Sequence, residues 1–205
     1  MKNIPALDSK VLDLVTEISK EPKVEAAMAF IKDQTEVAMQ EQIELCEIEA
    51  PTFHEEKRAA SVAERMKQYG LTDVHIDEIG NVIGIRKGTG SGPVLAIGAH
   101  MDSVFPAGTD VKVKKEGNIY RAPGIGDNCS GLRALLQVLR AMEKEDIRTV
   151  GDIWFVGTVG EEGNGDIRGS KHLCANNKLD GFVAIDSTDV GRVLYGAVGS
   201  HRWRS

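Results

Sequence analysis

Residues 94–102 read VLAIGAHMD: six small or apolar residues without interruption, then a histidine and, two positions on, an aspartate. An unbroken run of that length fits a strand covered on both faces, as inside a parallel sheet. Two more such runs follow, IWFVGTV at 153–159 and GFVAI at 181–185. Between the first and second lies a helical pattern that places Leu132, Leu135, Leu136, Leu139 and Met142 on one face, and between the second and third a shorter one around residues 170–176. Strand, helix, strand, helix, strand predicts an α/β fold, a mostly parallel sheet flanked by helices.

Upstream, Val74 and Ile76 alternate with His75 and Asp77, a turn falls at Gly80-Asn81, and residues 82–85 return as VIGI, which predicts a hairpin. Before it, Ala59, Val62, Ala63 and Met66 form one apolar helix face that ends at Gly70, with Thr52 and Glu55 spaced as a capping box after Pro51. Val24, Met28, Ile31, Ala38 and Leu45 recur at loosely helical spacing and predict one or two N-terminal helices. Residues 192–198 look like one further strand.

The composition narrows the function classes. With 25 Lys+Arg against 31 Asp+Glu the formal net charge is −6, and aromatics make up only 5%. Neither a basic stripe for phosphates nor a stacking platform for bases is present, which argues against nucleic acid. Cys46, Cys129 and Cys174 include no Cys-X-X-Cys, which excludes a disulfide framework and a thiolate zinc knuckle and fits a reducing compartment. Acids interrupt every apolar stretch of the N-terminus, and no run of about 18 apolar residues occurs, so a cytoplasmic protein without a membrane span is expected.

In an open α/β sheet, ligands bind beyond the carboxyl ends of the strands. There the chain places His100 and Asp102 after the first run, Glu161 and Glu162 after the second and Asp186 at the end of the third, while Asp127 lies in the loop leading to the long helix. Taken singly, Asp127 reads as a helix-capping acid, Glu161-Glu162 as a solvated pair and Asp186 as a turn acid. Taken together, carboxylates crowded on one rim repel one another unless a cation sits among them. Imidazole nitrogen with carboxylate oxygens and no thiolate points to zinc or a similar first-row ion, and several carboxylates with one shared point to two. Two ions about 3.5–4 Å apart can polarise a carbonyl and bring the pKa of a bound water toward about 7, so the expected reaction is hydrolysis.

These segments resemble the co-catalytic zinc peptidases and deacylases, a family that includes tripeptidase T, acetylornithine deacetylase, succinyl-diaminopimelate desuccinylase, aminoacylase and glutamate carboxypeptidase. The resemblance rests on the order GAHMDSV, PGIGDNCSG, GEEGNGDIRGS and AIDS, with EIGNVIGIRKG before them and GAVGSHRW after, and runs from about Glu41 to Trp203. It implies that His100 and Asp186 ligate one metal, Asp127 bridges both and Glu162 ligates the other. Asp102 would orient the His100 ring, and Glu161 would be the general base. It also implies a cis peptide between Asp127 and Asn128.

In that family the chain goes on into a lid used for dimerisation and then supplies a last metal-binding histidine. The resemblance therefore implies a catalytic domain over residues 1–195, incomplete, and the start of a lid over 196–205. One zinc (cobalt or manganese being alternatives) would be held better than the second, hydrolysis would be impaired, and a homodimer would form only with the missing lid. His201 is the only downstream histidine and lies in the segment that resembles the start of the lid. The expected substrate is a small peptide or N-acyl amino acid. A zinc aminopeptidase without a lid and a metal-binding remnant without activity are the alternatives.

Other motifs carry less. His54-Glu55-Glu56-Lys57-Arg58 begins like a zinc-protease helix but has Arg58 where a second histidine would stand, and reads as a solvated first turn. Gly88, Gly90 and Gly92 do not open a helix, so a phosphate-cradling loop is not supported. Cys129 reads as a small packed residue rather than a nucleophile, and His75 and His172 as surface or packing residues.

Overall fold

The computed structural model describes residues 8–186 and Leu194. The candidate strand at 192–198 and the segment 196–205 thus lie, but for Leu194, outside the described residues, as does His201. In chain order the elements are α1 (Ser9–Ser19), α2 (Pro22–Asp33), α3 (Thr35–Cys46), α4 (Glu56–Gln68), β1 (Asp73–Ile76), β2 (Val82–Arg86), β3 (Leu95–His100), β4 (Lys114–Glu116), β5 (Ile119–Arg121), α5 (Cys129–Lys144), β6 (Ile153–Thr158), α6 (Arg168–Asn176) and β7 (Gly181–Ala184).

The α/β sheet is present, with strand order β1-β2-β6-β3-β7. The three apolar runs are its parallel part: β3 pairs with β6 and with β7 in the same direction. The hairpin β1–β2 adds to β6 antiparallel. Because β3, β6 and β7 run together, their carboxyl ends reach one edge, and the register places His100 opposite Thr158 and Gly98 opposite Ala184.

The core lies between this sheet and its helices. Leu132, Leu135, Leu136 and Leu139 of α5 are fully buried with Val62 and Met66 of α4 and Phe155 of β6. Each such side chain contributes about 1.5–3 kcal/mol by leaving water. Truncating one to Ala costs about 2–5 kcal/mol, since the cavity adds to the lost transfer energy.

Three local expectations are corrected, and one element was not expected. The segment from Val24 to Leu45 forms two helices, as expected, with Gln34 ending α2 and capping α3, while α1 precedes them and buries no residue; but Met28, expected on the inner face, is 64% exposed. Thr52 and Glu55 form no capping box; α4 starts at Glu56, with Glu55 as its cap residue and no side-chain cap bond, because both side chains are engaged elsewhere. Arg58 is not solvated but 2% exposed, donating to the carbonyls of Met101, Ile48 and Cys46. Finally, the short hairpin β4–β5 has no apolar alternation to announce it.

Candidate metal centre

The rim at the carboxyl ends of β3, β6 and β7 is assembled by backbone bonds that run across strands. Met101 N–H donates to Thr158 O at 2.8 Å and Ile185 N–H to Gly98 O at 2.7 Å, which fixes the residues just past each strand. The loop carrying Asp127 is tied to the same edge by Asn128. Its side chain caps α5 by accepting from Gly131 N–H at 3.0 Å and donates to Ile185 O at 2.9 Å, beside Asp186. Gly131 makes that approach feasible: a Cβ there would stand 2.1 Å from Asn128 Oδ1 and 2.7 Å from Ile185 O. The cap of α5 is therefore Asn128, not Asp127, and Asp127 is left to face the rim. The Asp127–Asn128 peptide is cis.

His100 stands at the centre. Its Nε2 lies 3.0 Å from Asp127 Oδ1 and 3.7 Å from Asp186 Oδ1. Its Nδ1 lies 3.1 Å from the main-chain oxygen of Asp102 and 3.4 Å from Asp102 Oδ1. Donation from Nδ1–H to that carbonyl would leave the Nε2 lone pair turned to the two carboxylates, the tautomer a metal ligand needs. Ligand atoms of His100, Asp127 and Asp186 all lie within 4.8 Å of one another, and those of His100, Glu161 and Glu162 form a second such group. His100 belongs to both.

Asp102 is fully buried and is engaged on several sides: Oδ1 accepts from Glu161 N–H, and Oδ2 from Glu162 N–H and the Thr52 hydroxyl. Burial opposes its charge, but His100, the two amides and Thr52 outweigh it and hold the carboxyl at about 2. Burial likewise opposes charge on His100, yet Asp102 and Asp186 push the imidazole up to about 11. In the metal-free protein a ring proton thus supplies part of the positive charge that the surrounding acids demand. Glu161 and Glu162 are raised above the ordinary carboxylate range, in both cases chiefly by burial; Asp186, Asp102 and Asp127 add to the first, Asp127 and Glu161 to the second.

A cleft of about 290 Å³ opens against His100, Glu161 and Asp186, with Ile167, Phe182 and Ile185 among its walls. Such walls exclude water from the Glu161 carboxyl, the physical source of its upward shift. The donors fit a divalent first-row ion: one imidazole nitrogen and carboxylate oxygens on a rim whose charge is otherwise balanced by a proton. Cys129, fully buried against Cys46, is a packing residue as expected.

All six expected residues, His100, Asp102, Asp127, Glu161, Glu162 and Asp186, fall in this one neighbourhood. Sequence reading missed Thr52, Glu55, Arg58 and Arg168, which hold the loops that carry them. A third His-acid group, Asp77, Glu78 and His172, lies away from the rim at the β1–β2 turn. There Asp77 Oδ1 already accepts from the amides of Ile79, Gly80 and Asn81, and Oδ2 from the Asn81 side chain.

Residues 96–198 match the model of peptidase family M20/M25/M40, and the chain belongs to that family. It is 35% identical over 120 residues, 58% of its length, to a putative LysW-lysine/LysW-ornithine hydrolase of Pyrococcus abyssi, of which it covers 32%. Among solved structures it is similar to a tripeptidase of Staphylococcus aureus, at 31% identity and a TM-score of 0.61, over 74% of this chain and 43% of that one. It is similar also to the aminopeptidase PepT of Bacillus cereus, at 25% identity and a TM-score of 0.64, over 75% and 44% respectively. The chain therefore spans less than half the length of each of these relatives. Among the described residues, no helix is long and apolar enough to cross a membrane.

Proposed function

We propose that this chain carries the metal-binding part of a cytoplasmic hydrolase that cleaves an amide bond in a small peptide or N-acyl amino acid. The observation that carries the reading is the convergence of His100, Asp127 and Asp186, with Glu161 and Glu162 grouped on the same histidine. His100 and Asp186 would hold one zinc, Asp127 would be shared, and Glu162 would serve the second; cobalt or manganese could take zinc's place. Bound zinc supplies Lewis acidity toward the scissile carbonyl and makes water acidic enough to ionise near neutral pH. Asp102 fixes the His100 ring through Nδ1 and holds the amides of Glu161 and Glu162.

Glu161 is the general base. Its carboxylate takes the proton of the attacking water and returns it to the nitrogen of the leaving amine, so the group ends the cycle in the state in which it began.

Metal content and activity of the zinc-loaded protein test the reading. Elemental analysis is expected to find zinc retained through gel filtration, and a panel of dipeptides and N-acyl amino acids is expected to be hydrolysed slowly, with loss on chelation and recovery on zinc addition. A protein that retains no first-row metal, or whose hydrolysis is indifferent to chelation, would contradict the proposal.

A further inference from the structure

We infer that the buried Glu55 and the partly exposed Arg168 form a clamp on Gly160 that sets the Gly160–Glu161 peptide and thereby aims the Glu161 carboxylate; both are positioning residues, and the inference rests on the role proposed above for Glu161. Three consecutive amides just after β6 each donate to a buried carboxylate. Gly160 N–H donates to Glu55 Oε1 at 2.9 Å, Glu161 N–H to Asp102 Oδ1 at 3.0 Å and Glu162 N–H to Asp102 Oδ2 at 3.0 Å. Asp102 is part of the metal centre, but Glu55 comes from the opposite side, at the start of α4, and is 3% exposed.

A carboxylate buried that deeply needs a partner, and Arg168 provides it. One guanidinium nitrogen donates to both Glu55 oxygens, at 3.0 and 3.1 Å, and another to Ile79 O at 2.8 Å, while the group stands 5.2 Å from the centre of the Phe53 ring. The main chain of Arg168 closes the clamp: its N–H donates to Gly160 O at 3.1 Å. Both polar groups of Gly160 are therefore held, one by the Glu55 side chain and one by the Arg168 backbone. Only glycine fits between them, since φ is +60° and a Cβ would stand 2.5 Å from Arg168 Nε.

The consequence is directional. With the Gly160 amide released, the peptide that leads into Glu161 can rotate, and the base leaves its aim while His100, Asp127 and Asp186 stay in place. A misplacement of about 1 Å in such a group costs up to about a hundredfold in rate. Loss of a salt bridge serving stability alone would lower the melting temperature without a preferential effect on this loop.

Amide hydrogen exchange by NMR on the zinc-loaded full chain, with steady-state kinetics, separates the two. In Glu55→Ala the Gly160 and Glu161 amides are expected to exchange at least about tenfold faster while those of α5 are unchanged, as for loss of one buried acceptor. kcat should fall about tenfold to a hundredfold with KM within twofold. Glu55→Gln keeps an acceptor for Gly160 N–H and should recover both. Should Glu55→Ala not fold, Arg168→Lys, which retains charge without the two-pronged grip, is expected to shift Gly160 exchange and kcat together by a few-fold. Unchanged Gly160 exchange, equal losses in the Ala and Gln variants, or an effect confined to KM would each overturn the clamp. Wild-type protein with the expected exchange pattern but neither zinc nor hydrolysis would instead overturn the role of Glu161, and with it the positioning role.

Discussion

Two regions of this molecule bring a histidine and two acids within 4.8 Å of one another: His100 with Asp127 and Asp186 at the sheet edge, and His172 with Asp77 and Glu78 at the β1–β2 turn. Both pair an imidazole with two acids, but the backbone amides around them are satisfied differently. At the turn, Asp77 accepts four N–H bonds and serves to shape the chain. At the edge, the backbone amides are taken by Asp102 and Glu55, and Asp127 and Asp186 face His100 Nε2. A metal site is thus marked less by a gathering of ligand types than by separate acids that take up the local amide donors.

The contrast can be broken most directly by Asp127→Ala. Removing this proposed shared ligand should weaken zinc binding by more than the about 10–100-fold that loss of an outer partner costs, as read by competition with a chromophoric chelator. Asp102→Ala is the next step down: zinc affinity should fall about 10–100-fold although no ligand is lost, because the His100 ring and the amides of Glu161 and Glu162 lose their common anchor. Equal affinity in that variant would mean that the His100 ring needs no support.

The same centre should respond to pH. His100, pushed up to about 11 in the metal-free protein, carries its proton at neutral pH, and zinc must displace it. Apparent zinc affinity should therefore rise with pH from 6 to 9, with about one proton released from this ring per ion bound there, measurable by calorimetry in buffers of different ionisation enthalpy. At the turn the signs reverse. Asp77→Ala should leave zinc stoichiometry unchanged and lower unfolding stability by about 1–3 kcal/mol, through three amides that lose their acceptor. His172→Ala should alter neither property measurably, since its contact with the largely exposed Glu78 is worth about 0–1 kcal/mol.

How much of this was legible beforehand follows from where each residue lies. His100, Asp102, Glu161, Glu162 and Asp186 could be placed because each follows an apolar run within a few positions, and parallel strands carry such positions to one edge. Asp127 needed the others as context. Thr52, Glu55, Arg58 and Arg168 were beyond reach because charge and polarity in a sequence read as exposure, whereas here they satisfy main-chain groups around buried loops. The β4–β5 hairpin did leave a mark: Gly117-Asn118 stands between its strands as a two-residue turn pair, but the flanking residues lack the alternation that draws attention to a strand. The split between α2 and α3 left little trace, since helix-forming residues continue on both sides of Gln34.

The position of β7 has a consequence for how the protein loosens. Among the described residues this strand has β3 as its only neighbour, and Val183 at its middle is half exposed. Asp186 follows it, so among the described residues one carboxylate of the candidate centre rides on the margin of the sheet rather than on its interior strands. Margins of that kind open at lower free energy than the global transition. A cation gripped between Asp186 and His100 would act as a rivet for that margin, making the durability of the last strand a function of metal supply.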